Sequence, residues 1–322
     1  MPGPHDWFLR RTFRHSDFNV ARLVEAKREQ GLTVSVCIPA LNEEGTVGPI
    51  VERIRRELVD GAPLVDELAV IDSASSDRTV ETARAAGADV YQDREILPEM
   101  EPFAGKGEAL WKSLFVLRGD IILWLDADIT NFHPRFVSGP LGPLLTDPDV
   151  GYVKSFYRRP LGAEDAAGVR QLEGGRVTEL AARPLINMFW PHLAGLIQPL
   201  AGEYAGRRSL LEQVPFGTGY GVEIGLLIDI AERFGVEAMA QVDLEERTHR
   251  NRPIGELSRM AFAVLHAALT RLARSGQLEG GLPPTQGLVQ FEPAEGGYEM
   301  RSTDIEVRER PPAVTISAYG RR

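Results

Sequence analysis

Asp120-Ile121-Ile122-Leu123-Trp124-Leu125-Asp126-Ala127-Asp128 is a short apolar run that ends in two acids. Its length and β-branched, aromatic content read as a buried strand. The carboxylates of Asp126 and Asp128, at i and i+2 beyond that strand, point the same way from an extended turn. Both can then approach one divalent cation, and Mg²⁺ or Mn²⁺ takes such oxygen ligands while sharing its shell with phosphate oxygens. The competing reading is two acids in a solvated surface turn.

Working outward, the run is one of several strands alternating with helices. Residues 1–31 read as an N-terminal arm with a helix from Val20 to Glu29 that stops at Gly31. Thr33 to Pro39, Glu67 to Asp72 and Ala88 to Tyr91 read as strands. Helices are expected from Asn42 to Leu58, after Ser76-Asp77, and from Gly107 to Leu117. This alternation predicts an α/β fold with a mostly parallel sheet covered on both faces. Ligands of such sheets bind at the carboxyl ends of the strands. Pro39-Ala40-Leu41-Asn42, Asp72 and Asp126-Ala127-Asp128 all fall at such ends.

Beyond Asp149 the character changes. A strand is expected from Val150 to Phe156, then a Gly- and charge-rich loop from Arg158 to Gly175 that reads as a lid. Helices follow at Val177 to Ala182 and Gly221 to Phe234, and a strand at Met239 to Leu244. Leu257 to Leu272 reads as an amphipathic helix that can mediate a homodimer or pack on its own core. The organisation expected is therefore 1–31 arm, 32–150 first half, 151–255 second half, and 256–322 helix and tail. The tail from Gly280, rich in Gly and Pro, carries no clear pattern.

A formal net charge of -10 argues against nucleic acid as a partner, because phosphate neutralisation needs an extensive basic surface. It leaves room for a small anion held by a few local cations. No apolar run reaches membrane-span or signal-peptide length, so a cytoplasmic location without stable membrane association is expected. The single Cys37 lies inside an apolar strand and reads as a packing residue.

Other residues have chemistry-bearing patterns. Asp72 can accept hydrogen bonds from a base edge or ribose, or cap the next helix. Gly105-Lys106-Gly107 sets a compact cation in a small-residue bracket suited to phosphate, without the full P-loop pattern. Gly174-Gly175-Arg176-Val177-Thr178 opens a helix with free amides, an arginine fork and a hydroxyl, which suits a phosphate or carboxylate; plain helix initiation is the alternative. His249 is a third metal ligand or a turn residue. Glu223 is an acid among small and apolar neighbours, a pattern that favours catalytic support.

With these residues in place, the chain resembles nucleotide-diphospho-sugar transferases of the GT-A fold. It is most similar to the retaining glucosyl-3-phosphoglycerate and mannosyl-3-phosphoglycerate synthases of actinobacteria. The resemblance spans about residues 32–255. It is carried by Pro39-Ala40-Leu41-Asn42-Glu43-Glu44, Gly105 to Trp111, Val153 to Pro160, Gly175 to Leu180, Gln198 to Tyr204, Gly219 to Glu223 and His249 to Pro253.

The resemblance implies that Pro39, Ala40, Leu41, Glu43, Asp72 and Lys106 hold the nucleotide. It implies Asp128 and His249 as metal ligands for Mg²⁺ or Mn²⁺, with Asp126 beside the donor sugar or ribose. Gly175, Arg176, Thr178 and Asn251 would bind 3-phosphoglycerate, Glu223 the donor sugar, and the Leu200 carbonyl would lie near the attacking hydroxyl. The implied reaction moves glucose from UDP-glucose, or mannose from GDP-mannose, to the 2-hydroxyl of 3-phosphoglycerate with retained configuration. Relatives often carry serine where Ala127 stands. Two alternatives share the early motifs: an inverting polysaccharide or lipid-phosphate glycosyltransferase, and a non-catalytic sugar-nucleotide-binding protein.

Overall fold

The β-branched runs and the apolar stretch before Asp126 assemble one sheet in the computed structural model. It describes residues 3–159, 175–248, 253–282, 287–294, 297–305 and 307–320. Strands are β1 (Thr12–Arg14), β2 (Val34–Ala40), β3 (Glu67–Asp72), β4 (Asp89–Gln92), β5 (Ile121–Trp124), β6 (Tyr152–Arg158), β7 (Tyr204–Arg207), β8 (Phe216–Gly217), β9 (Met239–Glu246), β10 (Leu288–Ala294), β11 (Gly297–Thr303) and β12 (Glu309–Arg310). Eight of them form the main sheet in the order β1-β9-β6-β7-β5-β2-β3-β4. Every neighbouring pair is parallel except those made by β7, which runs antiparallel to both β5 and β6.

Successive side chains along a strand face opposite sides of the sheet. Val34, Val36 and Ile38 of β2 pack with Ile121 and Leu123 of β5 in one core, whereas Cys37 and Trp124 belong to the other. Both faces are thus apolar, and functional side chains emerge at the strand ends. Parallel β2, β3, β5, β6 and β9 all end on one edge of the sheet, where the reversed β7 begins. That places residues flanking Ala40, Asp72, Trp124, Arg158, Glu246 and Tyr204 along one rim.

Several elements differ from the sequence reading. The helix expected from Asn42 is regular only over Val47–Ile54 and widens into a π-helical stretch, Arg55–Gly61. Asn42 itself has φ 56°, a left-handed turn that keeps Leu41 and Asn42 out of the helix. Thr12–Arg14 adds an edge strand beside β9, and Trp7 is buried with its indole N–H donating to the Val236 carbonyl. Arg135–Thr146 is a helix although Pro140 and Pro143 lie inside it. The Gly- and Pro-rich tail forms the β10–β11 hairpin and β12, which pairs with β8.

The helix Ile254–Arg274 turns Ala263, Val264, Ala267, Ala268 and Leu272 into the protein's own core. Its amphipathic stripe is therefore satisfied internally. Cys37 is fully buried, and burial pushes its thiol up to about 12, as expected of a packing residue. No described helix is long and apolar enough to cross a membrane.

Candidate active site

Beyond β5 the chain leaves the sheet with Asp126 and Asp128. Lys106 Nζ donates to Asp126 Oδ1 at 2.6 Å and lies 2.9 Å from Glu223 Oε1. Arg247, one residue past β9, donates from Nη2 to Asp126 Oδ2 at 3.0 Å and to Asp128 Oδ1 at 2.5 Å. Its Nη1 donates to the Tyr157 hydroxyl at 3.1 Å, and its Nε lies 3.3 Å from Glu203 Oε1. Tyr157 donates in turn to Glu203 Oε2 at 2.6 Å. Four strand ends, those of β5, β6 and β9 and the start of β7, thus share one charge network.

Burial disfavours each of these charges, and the neighbours reverse that for some. For Asp126 the desolvation is outweighed by the Lys106 and Arg247 cations, which hold its carboxyl well below the usual range. Lys106 is the mirror case: burial opposes its charge, but Asp126 and Glu223 raise its affinity for the proton above the ordinary value. At Glu203 burial wins, pushing the carboxyl up in spite of Arg247. Burial likewise pushes the Tyr157 hydroxyl up to about 12.

Two close approaches set this geometry. A Cβ on Gly202 would lie 1.9 Å from Asp126 Oδ2, so glycine is required where the backbone before β7 passes the acid. A Cβ on Gly107 would lie 1.7 Å from the Gly217 carbonyl, and Gly105 has φ 111° beside Thr218. The Gly105-Lys106-Gly107 bracket therefore packs the helix Lys106–Ser113 against the turn that leads to Glu223. This close packing, which the phosphate reading of the motif did not foresee, brings Lys106 and Glu223 together.

At the end of β3, Asp72 is almost fully buried. Its Oδ2 accepts from the Ser75 amide and from Gln92 Nε2, both at 3.0 Å, while buried Oδ1 has no partner among the described residues. A buried acceptor left open on the ligand rim suits a hydroxyl or base N–H donor. Ala40 lies in register with Asp72, and the exposed Leu41 follows. The Glu43 amide donates to Thr79 Oγ1, tying this turn to the next.

Gly175, with φ 87°, precedes Arg176 and the buried Thr178 at a helix start. Arg183 of the following turn donates to the Leu196 and Ile197 carbonyls. The segment is thereby fastened to the stretch carrying Leu200, which packs against the core two residues before Gly202. His249, Asn251 and most of the expected lid lie outside the described residues.

The carboxylate pair fits a hard divalent cation that keeps phosphate or water in much of its shell. Among the described residues no three His, Cys, Asp or Glu side chains converge as a metal-binding set. Asp128 would be the protein's anchor, because Asp126 is held by both Lys106 and Arg247 whereas Asp128 is held by Arg247 alone among the described residues. The sequence reading does not single out Arg247, Glu203, Tyr157, Lys154 or Gly202 as site residues. Lys154, a charge inside an apolar strand, and Glu203, an acid just before one, were the available signals.

Comparison with known proteins agrees with this geometry. Residues 35–204 match the model of glycosyl transferase family 2. The chain is 49% identical to a glucosyl-3-phosphoglycerate synthase of Petrotoga mobilis, covering 98% of this chain and 96% of that one. Among solved structures it is similar to the mannosyl-3-phosphoglycerate synthase of Rubrobacter xylanophilus, with 41% identity, a TM-score of 0.89 and 98% of each chain covered. It is also similar to the Mycobacterium tuberculosis glucosyl-3-phosphoglycerate synthase solved with Mn²⁺, UDP-glucose and phosphoglyceric acid. That match has 43% identity, a TM-score of 0.78, and covers 92% of this chain and 95% of that one. A mostly parallel sheet with one reversed strand, the acids beyond β5 and near full-length identity place the chain in glycosyltransferase family 2, as a GT-A-fold enzyme of the glucosyl-3-phosphoglycerate and mannosyl-3-phosphoglycerate synthase family.

Proposed function

We propose that this enzyme transfers glucose from UDP-glucose to the 2-hydroxyl of 3-phosphoglycerate, with retained configuration and with Mg²⁺ or Mn²⁺. The observation that carries the reading is the Asp126–Lys106–Glu223 chain beside Asp128, a buried, charge-matched constellation on the ligand rim. Glucose is favoured over mannose because the Petrotoga and Mycobacterium relatives are glucosyl synthases. The mannosyl synthase of Rubrobacter keeps GDP-mannose as the second reading.

In this proposal Pro39, Ala40, Leu41, Glu43 and Asp72 hold the nucleotide, and open Asp72 Oδ1 takes a donor from it. Lys106 orients Asp126 and Glu223 toward the sugar. Asp128, with His249, holds the metal, whose charge supports the departing diphosphate. Gly175, Arg176, Thr178 and Asn251 hold the acceptor, with the Leu200 carbonyl near its hydroxyl. The acceptor oxygen bonds the anomeric carbon on the face the diphosphate leaves, and a leaving-group oxygen takes the hydroxyl proton. The protein then contributes positioning and preorganised charge rather than a nucleophile.

We further assign the enzyme to the cytoplasm as a homodimer. The dimer rests on exposed Val289, Phe291 and Met300 of the β10–β11 hairpin, and light scattering measures it directly. Turnover of 3-phosphoglycerate with UDP-glucose or GDP-mannose tests the donor, and NMR of the product reads the anomeric configuration. Faster turnover of UDP-glucose to an α-linked product is expected. Preference for GDP-mannose would overturn the donor, and a β-linked product the retaining path.

A further inference from the structure

Arg247 is the most heavily engaged side chain at the site, and the reaction outlined above leaves it without a task. One nitrogen, Nη2, lies between the two acids beyond β5, 3.0 Å from Asp126 Oδ2 and 2.5 Å from Asp128 Oδ1. The rest of the guanidinium is directed at Tyr157 and Glu203, with its carbon 5.5 Å from the Tyr157 ring centroid. The side chain is 4% exposed and sits among three carboxylates.

Two carboxylates spaced i, i+2 repel each other unless a cation stands between them. Lys106 reaches Asp126 but forms no ion pair or hydrogen bond with Asp128 among the described residues. Arg247 joins the two. A divalent cation binds a carboxylate oxygen at about 2.1 Å. With Arg247 Nη2 already on the same carboxylate, a metal on Asp128 would face a full positive charge a few ångströms away. The conflict is relieved if the arginine retracts toward Glu203 or if a polyanion joins both cations.

Resting on the proposed role of Asp128 as metal anchor, we infer that Arg247 is a resident counter-cation of the Asp126–Asp128 pair and competes with the divalent metal for Asp128. It keeps the acids aligned before loading and makes metal binding depend on the arriving diphosphate, whose negative charge accommodates both cations. Arg247 thus acts as a positioning residue that couples metal to nucleotide. By linkage the same coupling appears in the affinity of either ligand.

The test is Mn²⁺ binding followed by electron paramagnetic resonance, with and without UDP, in the unaltered enzyme and in Arg247→Gln and Arg247→Lys. Arg247→Gln should bind Mn²⁺ alone about tenfold more tightly, a coupling of ordinary size. The enhancement of Mn²⁺ affinity by UDP should shrink by the same factor. Arg247→Lys retains a charge for Glu203, but its compact ammonium cannot span both acids; it should fall between, and it decides the matter if Arg247→Gln does not fold. Unchanged or weaker Mn²⁺ binding in the folded variants would overturn the inference. Failure of Asp128→Ala to weaken Mn²⁺ binding would instead remove the metal role of Asp128 itself, which separates the two readings.

Discussion

Two lysines face the ring of Tyr204, and their surroundings are opposite. Lys106 Nζ, 5.8 Å from the ring centroid, has carboxylates within 3 Å on two sides. Lys154 Nζ, 4.0 Å from the same centroid, is buried in β6 with no hydrogen-bond partner among the described residues. Burial acts on both, yet Lys106 is held charged while burial pushes Lys154 down to about 7, against the pull of Glu223. The protein therefore carries a charge-matched side, where Asp126, Lys106 and Glu223 are fixed before any ligand arrives, and an unmatched floor whose charge varies near neutral pH. A buried cation keeps its proton only where an anion offsets its desolvation.

The largest expected effect comes from breaking the matched side at its outer acid. Asp128→Ala should lower kcat on the order of 10³-fold with both substrates saturating, as loss of a preorganised charge at the leaving group does. Activity near that of the parent would remove Asp128 from the mechanism. Next in size is Gly202→Ala, whose Cβ would collide with Asp126 Oδ2. Displacing that acid by about 1 Å should cost about 10²-fold in kcat, with circular dichroism unchanged; undiminished turnover would show that the position of Asp126 is not critical.

The smallest effect tests the unmatched floor, and stability reads it. A lysine depressed from 10.5 to about 7 burdens the fold with a buried charge below pH 7. That burden fades as pH rises from 7 toward 10.5, because the folded protein has already released the proton while the unfolded chain still holds it. Lys154→Met should therefore gain stability over the parent in urea unfolding at pH 6, and the gain should shrink toward pH 10. A gap independent of pH would mean that Lys154 stays charged in the folded protein just as it does in the unfolded chain.

The first half of the chain was legible because its strands are local. The strand expected from Glu67 to Asp72 has the same bounds in the structure as β3, and the run before Asp126 forms β5 over Ile121–Trp124. A β-branched stretch closed by a polar residue carries its own signal, and the parallel sheet then places every strand end on one rim. β7 was harder to read, since Tyr204–Arg207 is short and contains Gly206, and it is held by pairing on both sides. The helix Arg135–Thr146 was hidden by its prolines, whose usual local meaning is overridden by burial of nearly the whole segment.

Residue types and spacing alone determined the α/β class, the strand-end acids and the glycines around Lys106. Only the tertiary structure decided which charges meet. Arg247 lies more than a hundred residues from Asp126 in sequence, and Tyr157 reaches it from β6 and Glu203 from just ahead of β7. No periodicity encodes such a contact, because it depends on the order in which β9, β6, β7 and β5 lie side by side. The Asp126-Ala127-Asp128 sequence marks where a cation belongs, and the fold supplies Arg247 to hold those acids.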